Sequence, residues 1–580
     1  MRTTLNHIAL AIVAIFIIVH GQESKLSPRV YEQFYEKSRR TNAETSHHIW
    51  IIFNDKGPKE SHDYASALSE LSALAIERRQ RHLGTANVID ETDLPVHQPY
   101  LQKTLEALDI NYNSIRSVSR MLNAISLRVS SEAQLATLTK LPFIKRIDIV
   151  TSYKKDNMKQ SSPITHQRNV RQSGLNYGIS QPQLQQINAI QAHQFNLNGR
   201  NVTIALLDAG YRLDHIAFKN TRILKTFNFL YNISSVDNTP SDPENQRFHG
   251  TYVFSTVGGS DPTNGFYGPA YAANYLLATT ETVSSETIVE EDNFMNGVEW
   301  AERNGAQVLS ASLGYTGWWR PEELDGKSAI TTRAINWATD RGIVCVVSAG
   351  NAGAKGISVP ADAFNVITVG AVDSTGTIAS FSSVGPTYDR RIKPEVSAWG
   401  VDTQCANPRG TNGYAPVSGT SLSTPLVAGA VAMLLQSHPT WTVAQVREAL
   451  MSTASNAASP NNQIGWGIID VVKANNYAVT ATNATAACNC TGHGTCVNGA
   501  CVCYVGWDGA NCQNFVCDPN SCFRGFCQRG GVCSCYLGWS GARCQNYTNI
   551  NNSAYSNNNN NSALWSVLLI VFITLSTLFH

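Results

Sequence analysis

The chain has 580 residues, which exceeds one domain and suits three or four. Its 44 Lys and Arg balance 43 Asp and Glu, so the formal net charge is only +1. Because no basic stripe or nucleic-acid-binding motif is present, nucleic acid is not an expected partner.

The first residues have the features of a secretory signal peptide. Arg2 is followed by the apolar run 8–19, and Val19-His20-Gly21 suits signal peptidase. The run is too short for a comfortable membrane span. We therefore predict a signal peptide at 1–21 and a secretory-pathway protein, in which disulfides persist. Sequons of the form Asn-x-Ser/Thr, of which we expect only some to be used, agree with that compartment: Asn201, Asn232, Asn483, Asn489, Asn546, Asn551 and Asn560.

Residues 22–171 form a separate small α/β unit. Periodicity predicts strands at 48–53, 124–129 and 144–150 and helices at 64–82 and 132–138. An independent binding domain is one interpretation of this unit. The polar stretch 154–174 reads as an exposed linker. Within it, Arg168-Asn169-Val170-Arg171 resembles a site for a basic-specific processing enzyme. We predict cleavage after Arg171 to free Gln172, with autocleavage elsewhere in the linker as the alternative.

Three short segments between residues 172 and 480 carry residue types used in nucleophilic catalysis. The apolar run 202–207 ends in Asp208, where open α/β sheets place their chemistry. His249 precedes a predicted helix at 252–257, and Ser421 opens another, where unpaired N–H groups favour an oxyanion. Each residue alone has an ordinary structural explanation, such as a cap. Their joint order Asp, His, Ser is one in which unrelated folds assemble a catalytic triad.

The segment resembles the subtilisin-like serine peptidases over roughly residues 177–479. It is closest to a subgroup that reads Asp-Ala-Gly at Asp208 and has Tyr252 in place of a second histidine. Further matching stretches are Thr280-Glu281, 290–293, 312–315, 348–351, 360–362 and 392–395. The resemblance implies that the triad is Asp208, His249 and Ser421, and that Asn351 and the Ser421 N–H form the oxyanion hole. It also implies a substrate cleft edged by Ser312, Leu313, Gly314, Tyr315, Ala349 and Gly350.

The same resemblance implies the fold and the role of the preceding unit. Strand–helix alternation, with apolar strands at 308–311, 343–347 and 366–369, favours an α/β fold with a mostly parallel sheet covered by helices. Residues 22–171 resemble the family's inhibitory propeptides, so we expect a zymogen whose catalytic domain is 172–480. Such enzymes cleave protein or peptide substrates and require no cofactor. Calcium is a common structural ion among them, but no contiguous loop here assigns a metal site.

Cysteine usage divides the chain sharply. The first 344 residues contain none; Cys345 lies in a predicted strand and Cys405 in a loop, and we predict that both are free. The other twelve fall into two sets of six, within 486–513 and 514–545. Such density indicates disulfide-stapled modules, for which sequence alone leaves fifteen pairings each. Zinc binding is the alternative, but the compartment is oxidising and the spacing is wrong for zinc.

The two cysteine-rich segments resemble EGF-like modules of the tenascin type. That resemblance implies pairing of the first cysteine with the third, the second with the fourth and the fifth with the sixth. The implied bonds are Cys488–Cys496, Cys490–Cys501, Cys503–Cys512, Cys517–Cys527, Cys522–Cys533 and Cys535–Cys544.

The chain continues with an Asn-rich stalk at 546–562 and a hydrophobic tail at 563–580. Asn552-Ser553-Ala554, a polar spacer and the apolar tail match a glycolipid-attachment (GPI) signal, so we predict attachment at Asn552 and an outer-surface location. A carboxyl-terminal transmembrane helix is the alternative. The tail is at the short limit for a span, and no Lys or Arg follows it.

These features predict a secreted, membrane-anchored serine endopeptidase. A catalytically silent adhesion or receptor protein that uses its EGF-like modules is the alternative, but the intact set of catalytic residue types argues against it. A lipase or esterase lacks support because Gly-x-Ser-x-Gly and the order Ser, acid, His are missing.

Overall fold

The structure is a computed structural model of the chain. It describes residues 25–31, 47–83, 88–150, 174–283, 289–315 and 319–479, and short strands between residues 494 and 547. The predictions that concern residues 1–21, Arg171, Gln172 and Asn552 lie outside these residues. The chain divides into two compact units, 1–485 and 486–580.

The amino-terminal part of the first unit is a four-stranded antiparallel sheet with helices. The strand order is β2-β3-β1-β4. Residues 25–27 extend the sheet, because Ser27 N–H donates to the Ile147 carbonyl at 3.0 Å. The elements are α1 Pro28–Tyr31, β1 His47–Phe53, α2 Tyr64–Ser69, α3 Ala73–Leu83, α4 Gln98–Leu108, β2 Ile115–Ser119, β3 Ala124–Val129, α5 Glu132–Lys140 and β4 Ile144–Ile149.

The single helix predicted at 64–82 is wrong, because the structure divides it into α2 and α3. Ser72 interrupts the helix: its Oγ accepts from Ala75 N–H at 3.2 Å, and its own N–H donates to the Arg303 carbonyl at 2.9 Å. A serine that caps a following helix in this way takes its backbone N–H out of the preceding one. The partner carbonyl lies 231 positions along the chain, so local periodicity could not indicate the break.

Strand alternation gives this sheet two apolar faces. Ile49, Ile51 and Phe53 of β1 pack with α4 and α5 in a core of the amino-terminal part. Trp50 and Ile52, which point to the opposite face, join a cluster formed with the helices of the larger domain. Because side chains alternate along a strand, one short sheet holds its own helices and also packs on the rest of the unit.

The larger domain is built on a seven-stranded parallel sheet, as predicted. The strand order is β13-β12-β11-β10-β5-β9-β6. The central strands are buried on both faces, which explains why their sequences are mostly apolar. The sheet strands are β5 Thr203–Asp208, β6 Arg222–Asn228, β9 Asn274–Thr279, β10 Val308–Ala311, β11 Val344–Ser348, β12 Ile367–Val372 and β13 Val396–Trp399.

Helices cover both faces of the sheet, and two small hairpins lie beside it. The helices are α6 Gln181–Gln186, α7 Ala189–Gln194, α8 Phe248–Gly258, α9 Val289–Arg303, α10 Ile330–Asp340, α11 Thr420–Ser437, α12 Val443–Thr453 and α13 Val471–Asn475. The hairpins are β7 Ser260–Asp261 with β8 Phe266–Tyr267, and β14 Thr403–Ala406 with β15 Tyr414–Val417. Among the described residues, one helix, α11, is long and apolar enough to cross a membrane; 89% of that stretch is buried in the domain.

The second unit contains the same pair of antiparallel hairpins twice. In each copy a hairpin of two four-residue strands precedes a hairpin of two two-residue strands. Cys496 lies opposite Cys501 in the first copy, and Cys527 lies opposite Cys533 in the second. The strands are β16 Gly494–Val497, β17 Ala500–Cys503, β18 Trp507–Asp508, β19 Asn514–Phe515, β20 Gly525–Gln528, β21 Val532–Cys535, β22 Trp539–Ser540 and β23 Asn546–Tyr547. The side chains of the six predicted disulfides lie outside the described part.

The two cysteines of the larger domain are unpaired and buried, as predicted. Cys345 lies in the core cluster that faces the amino-terminal sheet, whereas Cys405 packs with Phe248 and Tyr252 and donates its thiol proton to the Ala415 carbonyl at 3.3 Å. Burial raises the pKa of both thiols. We therefore expect neither to react with iodoacetamide in the native protein and both to react after unfolding, as measured by peptide mass mapping. A Cys345–Cys405 linked peptide under non-reducing conditions would contradict this.

Candidate active site

Asp208 and His249 form a close pair at one edge of the parallel sheet. Asp208 is the last residue of β5 and is fully buried. His249 lies in the first turn of α8, which begins at Phe248 rather than at the predicted 252. The His249 Nδ1 atom is 2.6 Å from Asp208 Oδ1. This contact fixes the imidazole with Nδ1 protonated, so Nε2 is left as the basic atom.

Ser421 occupies the first turn of α11, as the sequence predicts, and makes a reciprocal pair of hydrogen bonds with Ser312. Ser312 Oγ donates to the Ser421 carbonyl at 2.9 Å, and Ser421 Oγ donates to the Ser312 carbonyl at 3.3 Å. The Ser421 carbonyl would ordinarily accept from the residue four positions on, but that residue is Pro425, which has no N–H. Because of Pro425, the Ser421 carbonyl is free to accept from the Ser312 hydroxyl, and this bond holds Ser421 beside the end of β10.

Asn351 follows β11 and reaches the same helix terminus. Its Oδ1 accepts from both the backbone N–H and the hydroxyl of Thr420, each at 2.9 Å. With its oxygen committed to Thr420, the amide presents Nδ2 as a donor on its other side. The Ser421 N–H lies in the first helical turn, where no intrahelical acceptor exists. The Asn351 side chain therefore lies at the helix terminus that carries Ser421.

The predicted cleft residues follow the carboxyl ends of β10 and β11. Gly314 lies so close to Ser358 that an added Cβ would be 2.1 Å from its hydroxyl oxygen, so a larger residue does not fit there. Tyr315 is buried, as are Ser312, Leu313 and Ala349, and its hydroxyl donates to Glu281 Oε1. Tyr315 pairs with Val359 through backbone bonds. These two contacts fix the position of Tyr315 at the end of the segment that follows β10.

Gln246 is a polar residue beside the site that the sequence analysis missed. Its Nε2 donates to the carbonyls of Ala209 and Glu281, and its Oε1 accepts from Val283 N–H. Gln246 thereby joins the turn after β5 to the segment after β9. Asp208 Oδ2 has no hydrogen-bond partner among the described residues. No local pattern marks Gln246, because its partners come from distant segments.

The α9 helix carries polar side chains along the surface that faces the amino-terminal sheet. Asp292 accepts from the Ser126 hydroxyl at 2.5 Å, and Asn296 donates to the Ser117 hydroxyl at 2.7 Å. One turn further, Glu299 accepts from the Ser119 hydroxyl and from the N–H groups of residues 120 and 121. The spacing 292, 296, 299 places these groups on one helix face. Their partners identify α9 as a recognition element for the amino-terminal part.

Metal ions in proteins are held by clusters of metal-ligating side chains. The described residues contain no group of three or more His, Cys, Asp or Glu that could hold an ion. The expected structural calcium therefore has no assigned site. The chemistry available at the sheet edge is that of a serine, an imidazole, a carboxylate and two hydrogen-bond donors, which are the parts of a serine hydrolase.

Comparisons with known proteins define the family. The profile of the Subtilase family matches residues 199–467, and that of the Peptidase S8 propeptide domain, Bacteroidota, matches residues 48–166. Subtilisin BL of Lederbergia lenta is 33% identical over 296 residues, which cover 51% of this chain and 96% of that protein. Subtilisin NAT of Bacillus subtilis subsp. natto is 35% identical over 299 residues, or 51% of this chain and 70% of that protein.

The chain thus belongs to the subtilase family: it is a subtilisin-like serine peptidase with a propeptide. Among solved structures, fervidolysin from Fervidobacterium pennivorans, a keratinolytic enzyme related to subtilisin, has a TM-score of 0.55 at 19% identity. The match covers 76% of this chain and 62% of that one. At this identity the likeness bears on the fold alone. The amino-terminal part described above is therefore the propeptide, and the domain with the parallel sheet is the catalytic domain.

Proposed function

We propose that this peptidase hydrolyses peptide bonds through Asp208, His249 and Ser421, with Asn351 and the Ser421 N–H as the oxyanion hole. The 2.6 Å contact between His249 Nδ1 and Asp208 Oδ1 is the observation that carries the proposal. Ser421 Oγ attacks the substrate carbonyl as His249 Nε2 takes its proton. The same nitrogen then protonates the leaving amine, and water hydrolyses the acyl-enzyme.

The proposal is tested directly with an active-site probe. A fluorophosphonate should label the mature protein on Ser421 and should fail to label the Ser421→Ala variant, with labelling followed by gel fluorescence and peptide mapping. Ser423→Ala, in the same helical turn, is the matched control and should still be labelled. Labelling of a different serine would refute the assignment.

Asn351 should contribute by stabilising the tetrahedral oxyanion. We expect Asn351→Ala to lower kcat by about 10²–10³ with little change in KM, a magnitude borrowed from the equivalent donor of subtilisin. The measurement is steady-state hydrolysis of a chromogenic peptide. Because Asn351 Oδ1 also holds Thr420, Asn351→Asp serves as control: it keeps that acceptor but removes the Nδ2 donor. An activity of Asn351→Asp near that of wild type would contradict the role.

Activation is proposed to follow cleavage of the linker after Arg171. The basic sequence 168–171 and the match to a propeptide profile support this step. Amino-terminal sequencing of the mature protein should begin at Gln172. An active form that still begins at Gln22 would remove the requirement for cleavage.

The proposed location is the outer cell surface, with the peptidase raised on two EGF-like modules and a glycosylated stalk. The sequence supplies the signal peptide, the sequons and the attachment signal at Asn552. The sequons at Asn201 and Asn232 lie on exposed turns, which permits glycosylation there. Phosphatidylinositol-specific phospholipase C should release the protein from intact cells. Resistance, together with a recovered peptide that contains Trp565, would indicate a transmembrane span instead.

A further inference from the structure

The propeptide contacts the catalytic domain at a second place, through a helical arm that consists of α2, α3 and residues 88–93. Arg78 of α3 is almost completely buried. Its guanidinium donates to the carbonyls of Ala306 and Arg341, at 2.5 and 3.0 Å, and also reaches the Glu302 carboxylate. These carbonyls follow the ends of α9 and α10. One side chain of the propeptide thus joins the termini of two catalytic-domain helices.

The arm lies very close to the backbone at these two helix ends. Helices α9 and α10 are both followed by a glycine with positive φ, Gly305 at +89° and Gly342 at +83°. The arm lies against both: an added Cβ at Gly305 would be 2.6 Å from Leu74 Cβ, and one at Gly342 would be 2.9 Å from His82 Cβ. The arm therefore fits a surface made by two helix caps of the same kind.

Further charge pairs surround this contact. Arg79 bridges Asp93 of the arm, at 2.8 Å, and Glu302 of the catalytic domain, at 2.7 Å. At the rim, Arg341 pairs with Asp90 at 2.6 Å. Removal of one charge from a pair buried against the catalytic domain would leave its partner buried and unpaired. Such an unpaired charge is strongly destabilising.

The arm binds at the edge of the sheet opposite the active site. Asp208 and Asn351 lie at or beyond the carboxyl ends of their strands. The arm contacts the segments that lead into the amino ends of β10, at Val308, and β11, at Val344. A strand of four or five residues separates these edges by roughly 13–17 Å. Binding of a ligand in the active-site cleft and docking of the arm are therefore separate interactions.

We propose that the helical arm is an anchor that retains the cut propeptide on the catalytic domain, independently of occupancy of the active-site cleft. Linker cleavage alone then leaves the propeptide docked on the catalytic domain through the arm. The inference rests on the proposed linker cleavage. It places a determinant of propeptide retention at a surface remote from the catalytic serine.

The test uses the full chain with a recognition sequence for a site-specific protease placed in the linker, in a Ser421→Ala background that prevents self-digestion. After the cut, size-exclusion chromatography follows the release of the propeptide. Arg78→Ala with Arg79→Ala should dissociate at least about thirtyfold faster than the parent. Lys103→Ala, an exposed charge removal on α4, should not differ from the parent.

A milder variant covers the case in which the double variant does not fold. Asp90→Asn removes only the rim pair and should speed release about two- to fivefold. An excess of a peptide substrate, which the Ser421→Ala protein can bind in its cleft but cannot cleave, should leave the parent complex intact. Release of the parent by that ligand, or equal release rates for all variants, would overturn the anchor. Because retention is measured without catalysis, an inactive enzyme that still shows these differences would refute only the proposed function.

Discussion

Replacement of either Ser421 or His249 by alanine should lower kcat by about 10⁶, the size known for the corresponding residues of subtilisin. Serine at its ordinary pKa is a poor nucleophile, so loss of the base disables it as fully as loss of the hydroxyl. The double variant should therefore lose little more activity than either single one. Steady-state kinetics on a peptide substrate, after active-site titration, measures all three.

The control for this series is Ser423→Ala, which removes a buried hydroxyl two residues away that bonds to the Thr420 carbonyl. It should retain activity within about tenfold, since removing one neutral hydrogen bond costs about 1 kcal/mol. Thermal unfolding should show that every variant is folded. Additive losses in the double variant would mean that the two residues do not act as a unit, and the triad would be misassigned.

The sequence predicted the parallel sheet of the catalytic domain well because its strands have an unmistakable pattern. The runs ending at Asp208 and Ala311 are mostly apolar, since strands such as β5 and β10 are buried on both faces. The helix at Ser421 was also indicated, because turn residues precede a long apolar run. These features depend only on residues that are close together in the chain, so they can be recognised without knowledge of the fold.

The propeptide interface could not be predicted, because it depends on pairings between distant residues. Adjacent arginines such as Arg78 and Arg79 usually indicate a solvated helix face. Here they are buried because Glu302 and the carbonyls after two helices meet them. The break at Ser72 and the inward side chain of Tyr315 have similar origins, with partners at Arg303 and Glu281.

Release of the cut propeptide should become faster as pH rises from 5.5 to 7.5, because of Asp292. Burial raises the pKa of this carboxyl to about 7, and Ser126 and Arg116 of the propeptide contact it. In the released catalytic domain the exposed carboxyl should return towards its ordinary pKa near 3.8. The bound state therefore favours the proton, and its contribution to binding is complete below the ordinary pKa and is lost as pH rises through 7. The two pKa values allow a change in affinity of about 10³ over the whole range between them, of which about twenty-fivefold falls between pH 5.5 and 7.5.

Other ionisable groups at the interface also contribute to the pH dependence of propeptide release. Burial also raises the pKa of Glu299, which acts in the same direction. Burial lowers the pKa of His48 and His82, which oppose it, because their protonation at low pH disfavours the bound state. Glu302, whose pKa is lowered chiefly by Arg78 and Arg79 against the effect of burial, titrates below the chosen window.

Asp292→Asn isolates the contribution of Asp292. The variant should lose the acceleration at neutral pH and keep only the dependence set by Glu299, His48 and His82. Release is measured between pH 5.5 and 7.5 in the linker-cut, Ser421→Ala background, with Glu106→Gln, an exposed carboxylate on α4, as the control. The control should follow the parent, since its carboxylate faces water in both states. Parallel pH profiles for the parent and the Asp292→Asn variant would show that Asp292 keeps the same pKa after release, and the link between its burial and propeptide binding would fail.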